Sequence, residues 1–386
     1  MPMSPEMLLA RISISQPWLG AEEAAALAEV IASGWVAQGP KVKQFEINFA
    51  SLQEAAHAVA FSSSTAAMHV ALIVAGIGRG DHVVVPSPAV AAVAGAIAGV
   101  GALPVLCDVE PRFGNATEAT IRAALTLDTR AVIVSDQGGM PVDLDPIREF
   151  CARHSIAVIE DAASAVGSLY KGHPVGVGAD ITVWAFGPGG TLTTGEGGML
   201  TTGRTDWAIR ARSLREHVRH LPRARQSSPL SPRDVTETGL NCRMTDLQAA
   251  LGNVQLRKLA RIVQRRRDIA KSYTAGLAGL AGLRLASDPP HGTANFQSYW
   301  LEVGDGFGVD REGLLERLSD AGIEAAPAMT LGRRLSRWRE AGASALQNAE
   351  LLSARTLVLP MHYQLDGVGI NRVINTIQAS GAGTTR

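Results

Sequence analysis

Residues 181–201 read ITVWAFGPGGTLTTGEGGMLT, a short apolar run that feeds a glycine-rich turn. A turn after a strand is a place where a chain can present a catalytic side chain to a bound cofactor. Between Phe186 and Thr191, however, the chain offers only Gly187, Pro188, Gly189 and Gly190. Asp161, which ends the run VIED, is the second residue whose place points to chemistry, because open α/β sheets bind ligands beyond the carboxyl ends of their strands. A site role is favoured there over a structural one. Ser64 or Thr65 can cap the helix that begins TAAMHVAL, since a hydroxyl satisfies an orphan N–H of the first turn, and such a helix start is a natural anion site. Arg219, Arg223, Arg225 and Arg233 surround the segment LPRARQSSPLSPRD. They could meet a diphosphate, although a solvated basic loop is the ordinary reading.

These positions need a scaffold, and the patterning supplies one. Val/Ile-rich runs at His82–Val85, Leu103–Cys107, Ala131–Val134, Ala157–Ile159 and Ile181–Phe186 alternate with helical stretches. Continuous apolar runs of this length are strands covered on both faces, so a mostly parallel sheet flanked by helices is expected. The Pro/Ser/Arg-rich segment 221–234 reads as a mobile loop. A long amphipathic helix follows, roughly Thr245 to Tyr273 and broken only by Gly252, then a strand-like Gln297–Val303 and two further helices. With 386 residues, the chain exceeds the roughly 250–300 at which single cores stop growing. A large domain over 1–238 and an interdomain helix with a smaller α+β domain over 239–386 are expected.

Composition excludes several roles. Lys+Arg and Asp+Glu number 36 each, so no long-range field would recruit nucleic acid or an anionic membrane. Cys107, Cys151 and Cys242 lack the spacing of disulfides or zinc sites, and no metal is expected. No apolar run approaches the ~18 residues needed to cross a bilayer, and the N-terminus lacks a basic segment followed by a long apolar stretch. A cytoplasmic location is expected.

Five ordered blocks then amount to a family match: SGWVAQGPKVKQFE (33–46), SSSTAAMHVAL (62–72), VIEDAASAVGSLYKGHPVG (158–176), TTGEGGM, and GLNCRMTDLQAALGNVQLRKL (239–259). Together they resemble the DegT-type sugar aminotransferases, enzymes of PLP fold type I that use pyridoxal phosphate (PLP) to aminate keto-sugar nucleotides. The resemblance runs from about residue 15 to the LPMHY at 359–363. It implies a PLP-transferase fold, a small C-terminal domain, and a homodimer with active sites at the subunit interface.

Residue by residue, the resemblance gives a mixed picture. Asp161 matches the aspartate that pairs with the pyridine nitrogen and makes the ring an electron sink. Asn241 matches the asparagine that reaches the cofactor phosphate from the neighbouring subunit, and Arg243 is retained beside it. Thr65 matches the threonine of the phosphate cradle, but Ser64 replaces the glycine before it. Val90 stands where the family has a stacking aromatic, Ser164 where it has a glutamine near the ring hydroxyl, and Asp136 where it usually has histidine. Ala185 replaces a serine that helps hold the phosphate, and Ala326 replaces an arginine often found before the proline of its block. His217 matches a histidine near the site and is the surviving general acid–base candidate; Glu196 shapes the TTGEGGM turn. Counting back from TTGEGGM places the Schiff-base lysine at Gly190, and Gly187 replaces a nearby histidine. The closest lysine in sequence, Lys171, belongs to an ordinary YKG turn.

A transaminase needs an amine to hold PLP and to shuttle a proton, and glycine does neither. The expectation is therefore an aminosugar or natural-product biosynthetic protein that has left PLP-dependent transamination and performs another step on a small molecule, with no covalent cofactor. Two alternatives stand beside it. One is a lysine-less enzyme holding PLP or pyridoxamine phosphate (PMP) non-covalently on a keto-sugar. The other is a non-catalytic partner that forms a heterodimer with an active paralogue.

Overall fold

A computed structural model describes residues 11–88, 91–217, 238–329, 331 and 345–381. In chain order the first half contains α1 (Ala21–Ser33), α2 (Pro40–Leu52), β1 (His57–Phe61), α3 (Ser64–Val74), β2 (His82–Pro86), α4 (Ala91–Gly99), β3 (Leu103–Cys107) and α5 (Glu118–Ala124). Next come β4 (Thr129–Ser135), α6 (Leu144–Arg153), β5 (Ala157–Asp161), β6 (Leu169–Tyr170), β7 (His173–Pro174), β8 (Ile181–Ala185), β9 (Gly198–Thr202) and α7 (Thr205–Arg215). After the Pro/Ser/Arg-rich segment, whose predicted loop lies outside the described residues, come α8 (Asp246–Leu277), β10 (Leu283–Leu285), β11 (Gly292–Thr293) and β12 (Tyr299–Val303). The chain ends in α9 (Arg311–Asp320), β13 (Ala326–Pro327), α10 (Gln347–Arg355), β14 (Thr356–Leu359) and α11 (Gly367–Gly381).

The main sheet has the order β1-β9-β8-β5-β4-β2-β3. Its pairs β8–β5, β5–β4, β4–β2 and β2–β3 are parallel, and only β9 runs antiparallel to both neighbours. This is the mostly parallel α/β sheet expected, and it carries all five predicted strands. Burial on both faces follows from strand alternation. Val59, Val85, Ile133, Ile159 and Ile181 enter one core with α3 and α4, while Ala58, Val84, Val132, Val158 and Trp184 enter the other with α2, α5 and α6. Because β1 is parallel in direction to β8 and β5, the start of α3, the turn after β8 and Asp161 all emerge at one edge.

The smaller sheet, β10-β12-β14-β13, is antiparallel throughout and packs against α9 and α10, with α11 laid on α9. Helix α8 connects the two layers, packing on α1 and α2 and also on α11. Its start is fixed by a capping box, in which the Thr245 hydroxyl accepts from the Gln248 amide at 3.2 Å and the Gln248 carboxamide accepts from the Thr245 amide at 2.9 Å.

Gly252 was expected to interrupt this helix, and it does not. An added Cβ there would lie 2.7 Å from two ring atoms of Phe45, so the glycine permits close approach of α2. Phe45 is fully buried and packs on Phe186 with ring centroids 5.2 Å apart. Gly→Ala in a helix normally gains ~1 kcal/mol. Here overpacking reverses the sign, and Gly252→Ala should lose about 1–3 kcal/mol. Chemical denaturation tests this; an unchanged or raised midpoint would show that the Phe45 ring has room to yield.

Candidate active site

Asp161 lies at the centre of the sheet edge, between β4 and β8. It is 8% exposed, and its Oδ1 accepts the Ala163 amide at 3.3 Å. Burial pushes its carboxyl from the ordinary 3.8 up to about 6, partly offset by the Ala163 amide and the Ser135 hydroxyl. Such a group exchanges a proton near neutral pH, as a general acid or base requires.

Asp136 follows β4, and its amide donates to the Asp161 carbonyl at 3.2 Å. Its side chain is 2% exposed, with Oδ1 accepting the Val142 amide at 2.9 Å ahead of α6 and Oδ2 buried without a partner. Burial and then the Glu160 charge hold its proton far above the usual range. Sequence reading missed Glu160 altogether. It is 2% exposed, and burial raises it to about 8. Its neighbour Asp161 was noticed because it ends the strand. Period-two alternation across the adjacent acids of VIED sends the other carboxyl to the opposite, helix-covered face.

Ser64 and Thr65 lie in the first turn of α3, but neither is the cap. Ser63 is, its hydroxyl accepting the Ala66 amide at 3.2 Å. The cap is set by β9: a Cβ on Gly198 would lie 2.4 Å from the Ser63 carbonyl, so the strand presses on the chain one residue before Ser64. Ser64 is half-buried and Thr65 exposed. Ser164, half-buried, gives its carbonyl to the Asn295 carboxamide at 2.8 Å.

The segment 241–243 runs beside the sheet edge, with Asn241 bridging to Glu216 and Arg243 to Phe61. Asn241 is exposed in the single chain and Arg243 half-buried. His217 projects from an exposed turn with φ 59°, its amide bonded to the Leu240 carbonyl at 3.1 Å. No hydrogen bond among the described residues joins it to Asp161. Glu196 is exposed, and its carbonyl accepts from Gln248 at 2.6 Å. Val90 and the four arginines of the basic segment lie outside the described residues.

The turn after β8 is a tightly held element. Trp184 and Phe186 anchor it from below, each packed edge-on against Phe49. The Thr193 hydroxyl and Thr194 amide both bond to the Phe186 carbonyl, at 3.1 and 3.0 Å, and the Gly190 amide closes the turn onto the Gly187 carbonyl at 3.1 Å. Three side chains clamp it from α8 and the 295–297 segment. Gln297 donates to Gly189 O at 2.9 Å, Arg266 to Gly190 O at 3.4 Å, and Asn295 to the Thr191 hydroxyl at 3.1 Å. A Cβ on Gly190 would meet Leu192 O at 2.9 Å and Gly187 O at 3.3 Å. Both obstacles are backbone.

The model of the DegT/DnrJ/EryC1/StrS aminotransferase family matches residues 17–378. The chain belongs to this family. It is 35% identical over 374 residues to a dTDP-4-dehydro-2,3,6-trideoxy-D-glucose 4-aminotransferase of Saccharopolyspora spinosa, covering 95% of this chain and 96% of that one. Among solved structures it resembles the aminotransferase TlmJ from Streptoalloteichus hindustanus, with 35% identity, TM-score 0.88, and coverage of 96% and 99% of the two chains. The sugar aminotransferase Spr1654 from Streptococcus pneumoniae, solved in PLP and PMP forms, matches at 26% identity and TM-score 0.87, covering 96% of this chain in both, and 99% and 98% of those chains. The family is one of PLP-dependent enzymes, and the aminotransferase fold is thereby confirmed.

The residues present fit such a cofactor unevenly. Asp161 offers a buried carboxylate at the end of β5, the chemistry that a cationic ring nitrogen would need. A covalent anchor is another matter: the chain has five lysines, Lys41, Lys43, Lys171, Lys258 and Lys271. Lys41 pairs with Glu29 at 3.0 Å, Lys171 with Asp145 at 2.6 Å and Lys258 with Glu23 at 2.7 Å, while Lys43 and Lys271 are exposed on α2 and α8. None stands on the turn after β8. The buried thiols are no substitute nucleophiles, since burial raises Cys107 and Cys151 to about 12 and Cys242 to about 11. Among the described residues no helix is long and apolar enough to cross a membrane, and no cluster could hold a metal ion.

Proposed function

We propose that this chain works in aminosugar or natural-product biosynthesis and catalyses a step other than transamination on a small molecule, without a covalently held cofactor. The observation that carries this reading is the packing at Gly190, where backbone carbonyls fill the space a side chain would need. In this reading Asp161 moves the proton, because its carboxyl titrates near neutrality at the ligand-facing edge of the sheet. Asn241 and Arg243, exposed and half-buried in the single chain, fit a homodimer in which each subunit lends them to the other's site. The test is to incubate the purified protein with PLP, glutamate and a dTDP-4-keto sugar and follow the amino product. No nitrogen transfer is expected; transfer at a rate like that of an active relative would end the proposal.

The retained Asp161 favours a second reading, a cofactor bound without a covalent link. Titration with PMP separates the two. Saturable binding that Asp161→Ala abolishes would establish the second reading, and absence of binding at millimolar cofactor would remove it.

A further inference from the structure

Arg266, on the face of α8 turned toward the β8–β9 turn, is a buried cation with no counter-ion among the described residues. It is 4% exposed, and its guanidinium donates only to neutral carbonyls, those of Phe296 at 3.3 Å, Gln297 at 2.7 Å and Gly190 at 3.4 Å. Its Nε is buried without a partner. Burial draws it down to about 10, so it stays charged at neutral pH. The nearby carboxylates are otherwise engaged: Glu23 binds Lys258 at 2.7 and 2.9 Å, and Asp288 binds Arg267 at 2.9 Å.

A neighbouring histidine, close enough to feel the Arg266 charge, supplies no counter-ion. His362 is 6% exposed, and its Nδ1 is buried without a partner. Burial, then the charges of Arg266 and Arg265, hold its imidazole neutral, and hydrogen bonding to the Ser13 backbone engages its one N–H, so the unpartnered Nδ1 is an acceptor. Beside Arg266 is a cavity of about 10 Å³ bordered by Gln16, Trp18, Gly190, Gln255, Arg266 and Tyr363. That is room for one solvent-sized species and not for sulfate or phosphate.

A buried charge with only dipoles around it is strongly unfavourable unless a counter-charge joins it. A water in the cavity would satisfy the Nε hydrogen but leave the charge. We propose that the cavity binds a single monovalent anion of halide size, chloride under ordinary conditions, which neutralises Arg266 and fastens the 187–192 turn to α8. Asp161 is not among the residues that border the cavity, and the proposal does not depend on the reaction the protein catalyses.

The experiment is thermal unfolding of the full chain in sodium chloride, sodium bromide or sodium gluconate at matched ionic strength, with a crystal grown in bromide. Wild type should show a saturable rise in Tm of a few degrees with either halide and none with gluconate. Arg266→Met should lose that dependence, whatever its absolute Tm, since an apolar replacement can itself stabilise a buried charge site. An anomalous bromide peak should lie against the Arg266 guanidinium. Halide dependence that survives in Arg266→Met, or a cavity holding only water in the bromide crystal, would overturn the proposal. If Arg266→Met does not fold, the bromide peak in wild type decides alone.

Discussion

Gly190→Lys is expected to yield a less stable protein that still has no covalently bound cofactor. The Cβ alone would lie 2.9 Å from Leu192 O and 3.3 Å from Gly187 O, and neither backbone oxygen belongs to a side chain that can swing away. The turn cannot easily yield as a unit, because Asn295, Gln297 and Arg266 each hold one of its groups and the aromatic cluster of Phe45, Phe49, Trp184 and Phe186 fixes its base. Overpacking of this kind costs about 1–3 kcal/mol. Gly190→Ala separates the Cβ effect from that of the longer chain and should carry most of the loss. The readouts are Tm and, after incubation with PLP and borohydride reduction, the mass of the protein. A Gly190→Lys variant with wild-type Tm that gains the mass of a reduced cofactor adduct would show that the turn still accepts a lysine.

The contrast between sheet and site shows what the chain displays and what only packing displays. The five predicted strands were legible because parallel strands covered on both faces are unbroken Val/Ile runs. The two that escaped notice, β1 with its HAVAF and β9 with its GMLTT, are poor in such residues and take their place from pairing with one another. The cap of α3 fell one residue early because Ser62, Ser63 and Ser64 are equivalent in sequence, and contact with Gly198 chooses among them. Asp161 could be singled out because a strand end is visible in sequence. The importance of Arg266 could not: it is the middle of three consecutive arginines, and only the packing of α8 leaves that one buried.

Asp161→Asn should raise stability at pH 7.5 while removing whatever proton transfer the site performs. The folded protein holds the Asp161 proton up to about pH 6, against 3.8 for the free side chain, so folding and proton binding favour each other. The stability this lends is complete below about pH 4 and is lost as the pH rises through 6; above that, the folded state bears a buried carboxylate that costs about 3 kcal/mol. Asparagine keeps an oxygen for the Ala163 amide and carries no charge. Its stabilisation should therefore be absent near pH 4, grow through pH 6 and level off at about 2–3 kcal/mol, while turnover falls by about 10²–10⁴ if Asp161 is the acid–base group. Glu160, raised to about 8 by its own burial, titrates in a higher window and leaves a separate slope that the variant does not remove. Denaturant unfolding of both proteins from pH 4 to 8 checks the result. A variant less stable than wild type at pH 7.5 would mean that the Asp161 carboxylate is charged and satisfied in the purified protein. The simplest source of such satisfaction is a bound cation, and a protonated ring nitrogen carried through purification would move the balance toward the non-covalent cofactor.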